Sequence, residues 1–470
     1  MTAPPLPHPA CDAVYELTPA DGNATSRTNL QFVLFYETGG ECPRARVGAA
    51  MRQAFYETLA RYPILYGRIE LAEAADGATA RVVVRRDALD ACMPRYDEVA
   101  VEERVADIRR ARYGWDAWPP ALLRVCVVRR PDTEAPLVQC VVTWHPDGVG
   151  LLFSVDHSVA DGVGVDILLN QWARAVRSPA AAPDVEPDFD HVALFDDLRR
   201  GQQPDDSDWF VRYVDAVDLE QKRGHHPTGA ILNSDPRTPQ EVERALRADV
   251  RAVRVTPDAL RRLQEDAHSE SGGGGRHIPA IRLAYALFWQ RYTAALRAAA
   301  PERQGDCLLN VVHSARHLVG RPHYIGNAVC PVYMQLAAEE LAAQPLWRIA
   351  ERVGERMHSV SRAQWLATTL LMQDPRRFAK LLTVFGSPAN CQLTVSNISR
   401  LRFFDADFGF GAPVHATLYP MLIPGFATWM PLGPDGGLHI LWNLPAPVAA
   451  HLEADPLFTR YAEILPASHV

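Results

Sequence analysis

The residues whose types and spacing could do chemistry lie in Phe153-Ser-Val-Asp-His-Ser-Val-Ala-Asp-Gly162. Leu151–Val155 reads as a strand returning from the turn residues 145–150, and a strand is expected to end at His157. Asp161-Gly162 supplies a turn, and a helix is expected beyond it. A side chain at such a junction is held rigidly at the edge of a sheet, where a catalytic group gains from a fixed position. Histidine titrates near neutrality, so His157 could accept a proton from a reacting group and return it within one cycle. Asp161, in the same turn, could point inward and fix the loop through an ion pair. The pattern His-x-x-x-Asp-Gly is short, and a histidine merely packed at a strand end satisfies it as readily.

A second segment, Asp407-Phe-Gly-Phe-Gly411, lies far downstream. Together the segments resemble the BAHD family of plant and fungal acyltransferases, whose signatures are written HxxxDG and DFGWG. Leu17-Thr-Pro-Ala-Asp21 is similar to that family's opening LSxxD, and Tyr62-Pro-Ile-Leu-Tyr-Gly-Arg68 to its YPLAGR. Asn310-Val-Val-His-Ser-Ala-Arg316 resembles its arginine-bearing strand, and Tyr324-Ile-Gly-Asn-Ala328 its YFGNA. The resemblance spans nearly the whole chain and is nearest to fungal members with a loosened second motif, which acylate secondary metabolites. Phe410 stands where tryptophan is usual, and His313 and Ala315 depart from the arginine-bearing segment. Peptide-synthetase condensation domains commonly carry a second histidine just before the catalytic one; here that position is Asp156, and those domains lack DFGFG.

The resemblance implies an α/β fold of two similar mixed-sheet domains with flanking helices, like chloramphenicol acetyltransferase, with a tunnel between them. Coenzyme A would enter from one face and the acceptor from the other. His157 would be the general base. Ser396, in Leu393-Thr-Val-Ser-Asn397, falls where the family places a hydroxyl for the oxyanion; a serine hydrogen-bonded within its sheet is the alternative. Asp161, Gly162, Asp407, Gly409 and Gly411 would be structural, with Arg316 the partner of Asp161. The implied activity is acyl transfer from acyl-CoA, a co-substrate rather than a permanent cofactor, to a small-molecule alcohol or amine. Transfer from a carrier protein is the competing enzyme reading, but it would call for a basic docking face. A binding protein that kept the fold and lost the chemistry is the other.

The elements that must hold these residues follow from periodicity. Strands are expected at Asn29–Tyr36, Leu122–Arg129, Val138–Trp144 and Leu151–Val155, and near residues 252–255, 307–313, 390–397 and 437–443. Amphipathic helices are expected near 44–62, 165–176, from Thr256, 279–298 and 344–366. Thr256-Pro257 fits an N-cap followed by proline in the first turn. Composition turns proline-rich and acidic after residue 177. The chain therefore divides into an N-terminal half (1–177), a crossover (178–245) with short helices near 192–200 and 209–219, and a C-terminal half (246–470).

Bulk composition narrows the function classes. The 470 residues carry a formal net charge of −8, which argues against a nucleic-acid partner. Eight cysteines are scattered without a Cys-x-x-Cys pair, so no metal site is expected, and Cys391 is expected to be an inert core thiol. His225-His226 has no partner at ligand spacing and reads as a solvated loop. The start of the chain has no signal-peptide pattern and no stretch is apolar enough to span a bilayer, so the default expectation is a cytoplasmic monomer.

Overall fold

In Asn29–Glu37, Phe32, Leu34 and Tyr36 pack on helices, while Val33 and Phe35 turn to the opposite face, the period of two that a strand buried on both sides imposes. This strand pairs antiparallel with Gly148–Asp156, every residue of which is buried. A computed structural model describes residues 12–22, 28–40, 43–74, 77–125, 135–180, 185–217, 241, 247–272, 277–303, 305–386, 390–419, 424–432 and 436–465. Among them the strands form three sheets.

The N-terminal sheet has five strands in the order His415–Leu418, Asn29–Glu37, Gly148–Asp156, Val138–His145 and Arg95–Ala100. The C-terminal sheet has seven: Val329–Leu336, Cys307–Ser314, Cys391–Asn397, Phe426–Trp429, Leu438–Asn443, Val250–Val255 and Glu463–Ile464. A smaller sheet joins Ala13–Glu16, Gly77–Val84 and Arg68–Ala74. Helices Arg44–Ala60 and Gly162–Arg177 cover one face of the N-terminal sheet. Helices Pro257–Glu270, Ala280–Ala299 and Leu346–His358 cover one face of the C-terminal sheet. The remaining inner faces meet: Val33, Phe35 and Leu152 share a cluster with Val250, Ala252 and Leu441. Two mixed sheets with flanking helices, facing each other, are the expected architecture.

Several local expectations change. Pro120–Leu123 forms a 3-10 turn instead of the start of a strand, because Pro119 and Pro120 have no N–H for a ladder; residues 126–134 lie outside the described residues. The helix expected over 344–366 is two, Leu346–His358 and Arg362–Gln373, because the Ser361 hydroxyl accepts the Gln364 N–H (3.2 Å) and starts a new helix. Thr256 caps its helix through the Ala259 N–H (3.1 Å) with Pro257 in the first turn. The edge strand His415–Leu418, from the C-terminal half, pairs with Asn29–Glu37, so the chain crosses back into the N-terminal sheet.

Helix Gly162–Arg177 carries a buried carboxyl, Asp166, whose Oδ1 accepts the Arg402 N–H (2.8 Å) and the Asn170 amide (3.1 Å). Burial pushes its pKa up to about 6, against the lowering effect of the Arg402 hydrogen bond. The unfolded chain releases this proton near pH 3.9, so folding is penalised as pH rises above that value, fully so above about 6. Asp166→Asn keeps an acceptor oxygen and removes the charge. It is expected to stabilise the protein by on the order of 2–3 kcal/mol at pH 8 and by almost nothing below about pH 4. Equal melting shifts at both pH values would refute this assignment.

Candidate active site

His157 follows the last residue of strand Gly148–Asp156, half-buried. Its N–H donates to the Thr28 carbonyl (2.7 Å) and its own carbonyl accepts from the Asn327 side-chain amide (2.6 Å). The peptide is thus clamped at both polar groups. The turn after it is built by Asp156, whose carboxylate accepts the Ser158 N–H (2.8 Å) and whose carbonyl accepts the Val159 N–H (3.1 Å). The ring Nδ1 is buried with no hydrogen-bond partner among the described residues.

Asp161 caps helix Gly162–Arg177. Its Oδ1 accepts the N–H groups of Val163 (3.0 Å) and Gly164 (3.1 Å), donors the first helical turn would otherwise leave unsatisfied. The same carboxylate forms a bidentate pair with Arg316, Nη2 to Oδ1 at 2.6 Å and Nη1 to Oδ2 at 2.9 Å. Asp161 is 2% and Arg316 4% exposed. The guanidinium's other donors reach the carbonyls of Tyr324 and Gly326, both at 2.9 Å, and the Ala328 N–H reaches Oδ2 at 3.2 Å. Gly164 permits this closeness: a Cβ there would sit 1.9 Å from the Ile325 carbonyl oxygen.

Ser396 lies on Cys391–Asn397, in register with Val312 on one side and Thr428 on the other. Cys391, Leu393 and Val395 face the helices of the C-terminal core, so Ser396 and Thr394 face the opposite side, as does Phe426, which packs against the cluster between the sheets. Just past this strand, Ile398 and Leu401 lie 3.4 Å from where a Cβ on Gly162 would be, so its end abuts the helix that follows His157. Asn397 is committed elsewhere: its amide donates to the Tyr285 hydroxyl (2.7 Å) and its oxygen accepts the Ser399 N–H (3.0 Å). A cavity of about 540 Å³ between the sheets is edged by Thr417, Met430, Leu441 and Arg254.

Asp407 and its glycines form a separate unit on the outer side of the N-terminal half. The Asp407 carboxylate accepts the N–H groups of Gly409 (2.7 Å) and Gly411 (2.9 Å) and lies 3.6 Å from Arg177. Both glycines have φ near +90° to +100° (92° and 103°), which side-chain-bearing residues rarely adopt. Phe408 is buried against Trp172, with ring centres 4.5 Å apart, and Phe410 meets Tyr36 edge-on at 5.0 Å. The loop is therefore riveted to the N-terminal core.

Sequence reasoning missed a buried polar cluster. Asp21 is fully buried, with Asn327 Nδ2 2.7 Å from Oδ1 and His191 Nδ1 2.7 Å from Oδ2. The signal for Asp21 and Asn327 was present, as both end or interrupt segments matched to family motifs; His191 sits in the crossover with no local pattern. His145, by contrast, is satisfied in the core, with Nδ1 2.7 Å from the Glu103 carbonyl and Nε2 3.0 Å from the Thr143 hydroxyl. Burial holds its pKa below the usual histidine value. Cys391 is a fully buried core thiol in register with Cys307, whose hydrogen bond, with Arg297 and Arg303, draws the Cys391 pKa down against the opposing effect of burial. His225 and His226 lie outside the described residues. Among the described residues there is no metal-binding group and no helix long and apolar enough to cross a membrane.

The two aspartates should respond differently to removal. Asp161→Ala strands a buried guanidinium and is expected to cost about 3–5 kcal/mol. Asp407→Ala removes a half-exposed pair and two loop hydrogen bonds, and should cost about 1–2 kcal/mol. Denaturant melts of both variants measure this, and an Asp161→Ala protein as stable as wild type would refute the buried-pair account.

A family model described as the Transferase family matches residues 105–445. Putrescine hydroxycinnamoyltransferase 3 of Oryza sativa subsp. japonica is 27% identical over 384 residues, covering 79% of this chain and 78% of the rice protein. Acyltransferase M4 of a Phoma species is 23% identical over 496 residues, covering 96% and 95%. Among solved structures, F. sporotrichioides TRI101 complexed with coenzyme A and T-2 superposes with a TM-score of 0.72 at 16% identity, covering 96% of this chain and 99% of that one. With a family match across most of both sheets, this chain belongs to the Transferase family, the BAHD acyl-CoA-dependent acyltransferases.

Proposed function

We propose that the protein transfers an acyl group from acyl-CoA to a hydroxyl, or an amine, of a small secondary metabolite, with His157 as general base. The observation that carries this reading is a half-buried imidazole on a peptide clamped at both its N–H and its carbonyl, at the point where the two halves of the chain meet. Nδ1 is buried, which leaves Nε2 as the nitrogen to meet the acceptor. Nε2 takes the acceptor proton as the oxygen or nitrogen attacks the thioester carbonyl. The tetrahedral oxyanion then collapses, the carbon–sulfur bond breaks, and the coenzyme A thiolate recovers the proton from His157. No acyl-enzyme is needed. The name of the rice relative, a putrescine hydroxycinnamoyltransferase, and the T-2 bound with coenzyme A in TRI101 support a small-molecule acceptor, and the Phoma relative's name supports acyl transfer.

Ser396 is the hydroxyl we assign to the oxyanion. It is half-buried on the face of the C-terminal sheet turned away from the helices, beside Thr428. With the Asn397 amide already donated to Tyr285, Ser396 is the better candidate of the neighbours.

Release of free thiol from a panel of acyl-CoAs and alcohols or amines tests the activity. Replacing His157 with alanine should lower turnover by roughly two to four orders of magnitude while the melting temperature holds. Near wild-type turnover in that variant would remove His157 from the chemistry.

Ser396→Ala should lower kcat by about a hundredfold with substrate KM nearly unchanged, because the donor is aimed at charge that exists only in the transition state. A small stability loss with kcat within a few-fold of wild type would instead make it a strand serine.

A further inference from the structure

Asp21 and Asn327 belong to segments that the proposed chemistry leaves unused, yet Asn327 reaches His157 and Asp21 holds Asn327. The geometry points to Asn327 as a positioning residue for the catalytic histidine, held in its working orientation by Asp21. This rests on the reading of His157 as the base.

Nothing among the described residues holds the imidazole from behind: Nδ1 has no partner there, so no carboxylate orients the ring as one does in a serine-hydrolase triad. Among the described residues the hydrogen bonds that fix His157 go to its backbone. Asn327 supplies half of that clamp, since its Nδ2 donates at once to the His157 carbonyl (2.6 Å) and to Asp21 Oδ1 (2.7 Å).

A side-chain amide can flip, and flipped it would set oxygen against oxygen at the His157 carbonyl. Asp21 forbids the flip, because an ionised carboxylate only accepts hydrogen bonds and therefore demands the amide's NH2. The Asn327 backbone N–H also donates to Asp21 Oδ1 (3.0 Å), so both groups of Asn327 are registered on one oxygen.

Asp21 must then stay charged although it is fully buried. Burial alone would raise its pKa, but His191 at 2.7 Å, with hydrogen bonds from Thr18 and Asn327, holds it below the usual carboxylate value. Tyr324, whose hydroxyl is 2.7 Å from the same His191 nitrogen, closes the cluster. The N-terminal segment (Thr18, Asp21), residue His191 and the C-terminal half (Tyr324, Asn327) thus all contribute to a device that ends on the histidine's carbonyl.

A double-mutant cycle with thiol-release kinetics tests this in the full-length enzyme, comparing Asn327→Ala, His157→Ala and the pair. Asn327→Ala should lower kcat about ten- to a hundredfold, the scale of a misplacement near 1 Å, with KM for acyl-CoA within about twofold. In the His157→Ala background it should cause almost no further loss, because its effect passes through the ring. Wild-type kcat for Asn327→Ala, or losses that multiply in the pair, would overturn the inference and leave His157 as base. Retained turnover in His157→Ala would instead overturn the base assignment and this inference with it. If Asn327→Ala does not fold, Asp21→Asn carries the test. It preserves volume and one acceptor but lets the amide flip, so kcat should fall several-fold with KM steady, and an unchanged kcat would overturn the inference.

Discussion

The buried pair between Asp161 and Arg316 is the contact on which the site is built. Two charges taken out of water are costly unless every remaining donor and acceptor is used, and here they are. Asp161 takes two helix N–H groups, the Ala328 N–H and both arms of the guanidinium. Arg316 spends the rest of its donors on the carbonyls of Tyr324 and Gly326 and on the Ser314 hydroxyl. Satisfying the pair therefore folds residues 324–328 of the C-terminal half around the first turn of an N-terminal helix. Gly164 is what that closeness requires, since any side chain there would collide with the Ile325 carbonyl.

Wrapping that segment has a chemical result. Asn327 comes to the His157 carbonyl because its neighbours are fixed on Arg316 and its own amide and N–H on Asp21, so the pair that costs desolvation helps deliver the group that meets the histidine. The site is an assembly across the chain's two halves, with rigidity supplied through backbone hydrogen bonds and a buried carboxylate. The Asp407 loop contributes differently: it is tied by Phe408 and Phe410 to the N-terminal core and touches none of the residues around His157 in the contacts described above.

Much of the scaffold was legible in the chain. The β-branched and aromatic runs of Asn29–Tyr36 and Leu151–Val155, and the 3.6-residue spacing of Val165, Leu168, Leu169 and Trp172, mark buried elements, and strands and a helix appear there. Short strands such as His415–Leu418, at the edge of its sheet, and Phe426–Trp429, inside the C-terminal sheet, escaped because four residues carry too little periodic signal. Ser361 split an expected helix because an N-cap serine can restart a helix inside an apolar pattern that runs on without interruption.

By itself the sequence determined which residue types were available for chemistry, the strand, turn and helix around His157, and the order of segments that marks the family. Those depend on local spacing, and spacing is written in the chain. Tertiary structure decided what faces what: that Arg316 meets Asp161 across 155 positions, that Asn327 meets His157 across 170, and that Asp21 meets His191 across another 170. Contacts of that kind arise from burial, where an unpaired charge or amide is penalised and must find a partner from wherever the fold brings one. No periodicity records such a demand: the pairing of Arg316 with Asp161 is expected only through the family resemblance, and the other two contacts come only from the packed molecule.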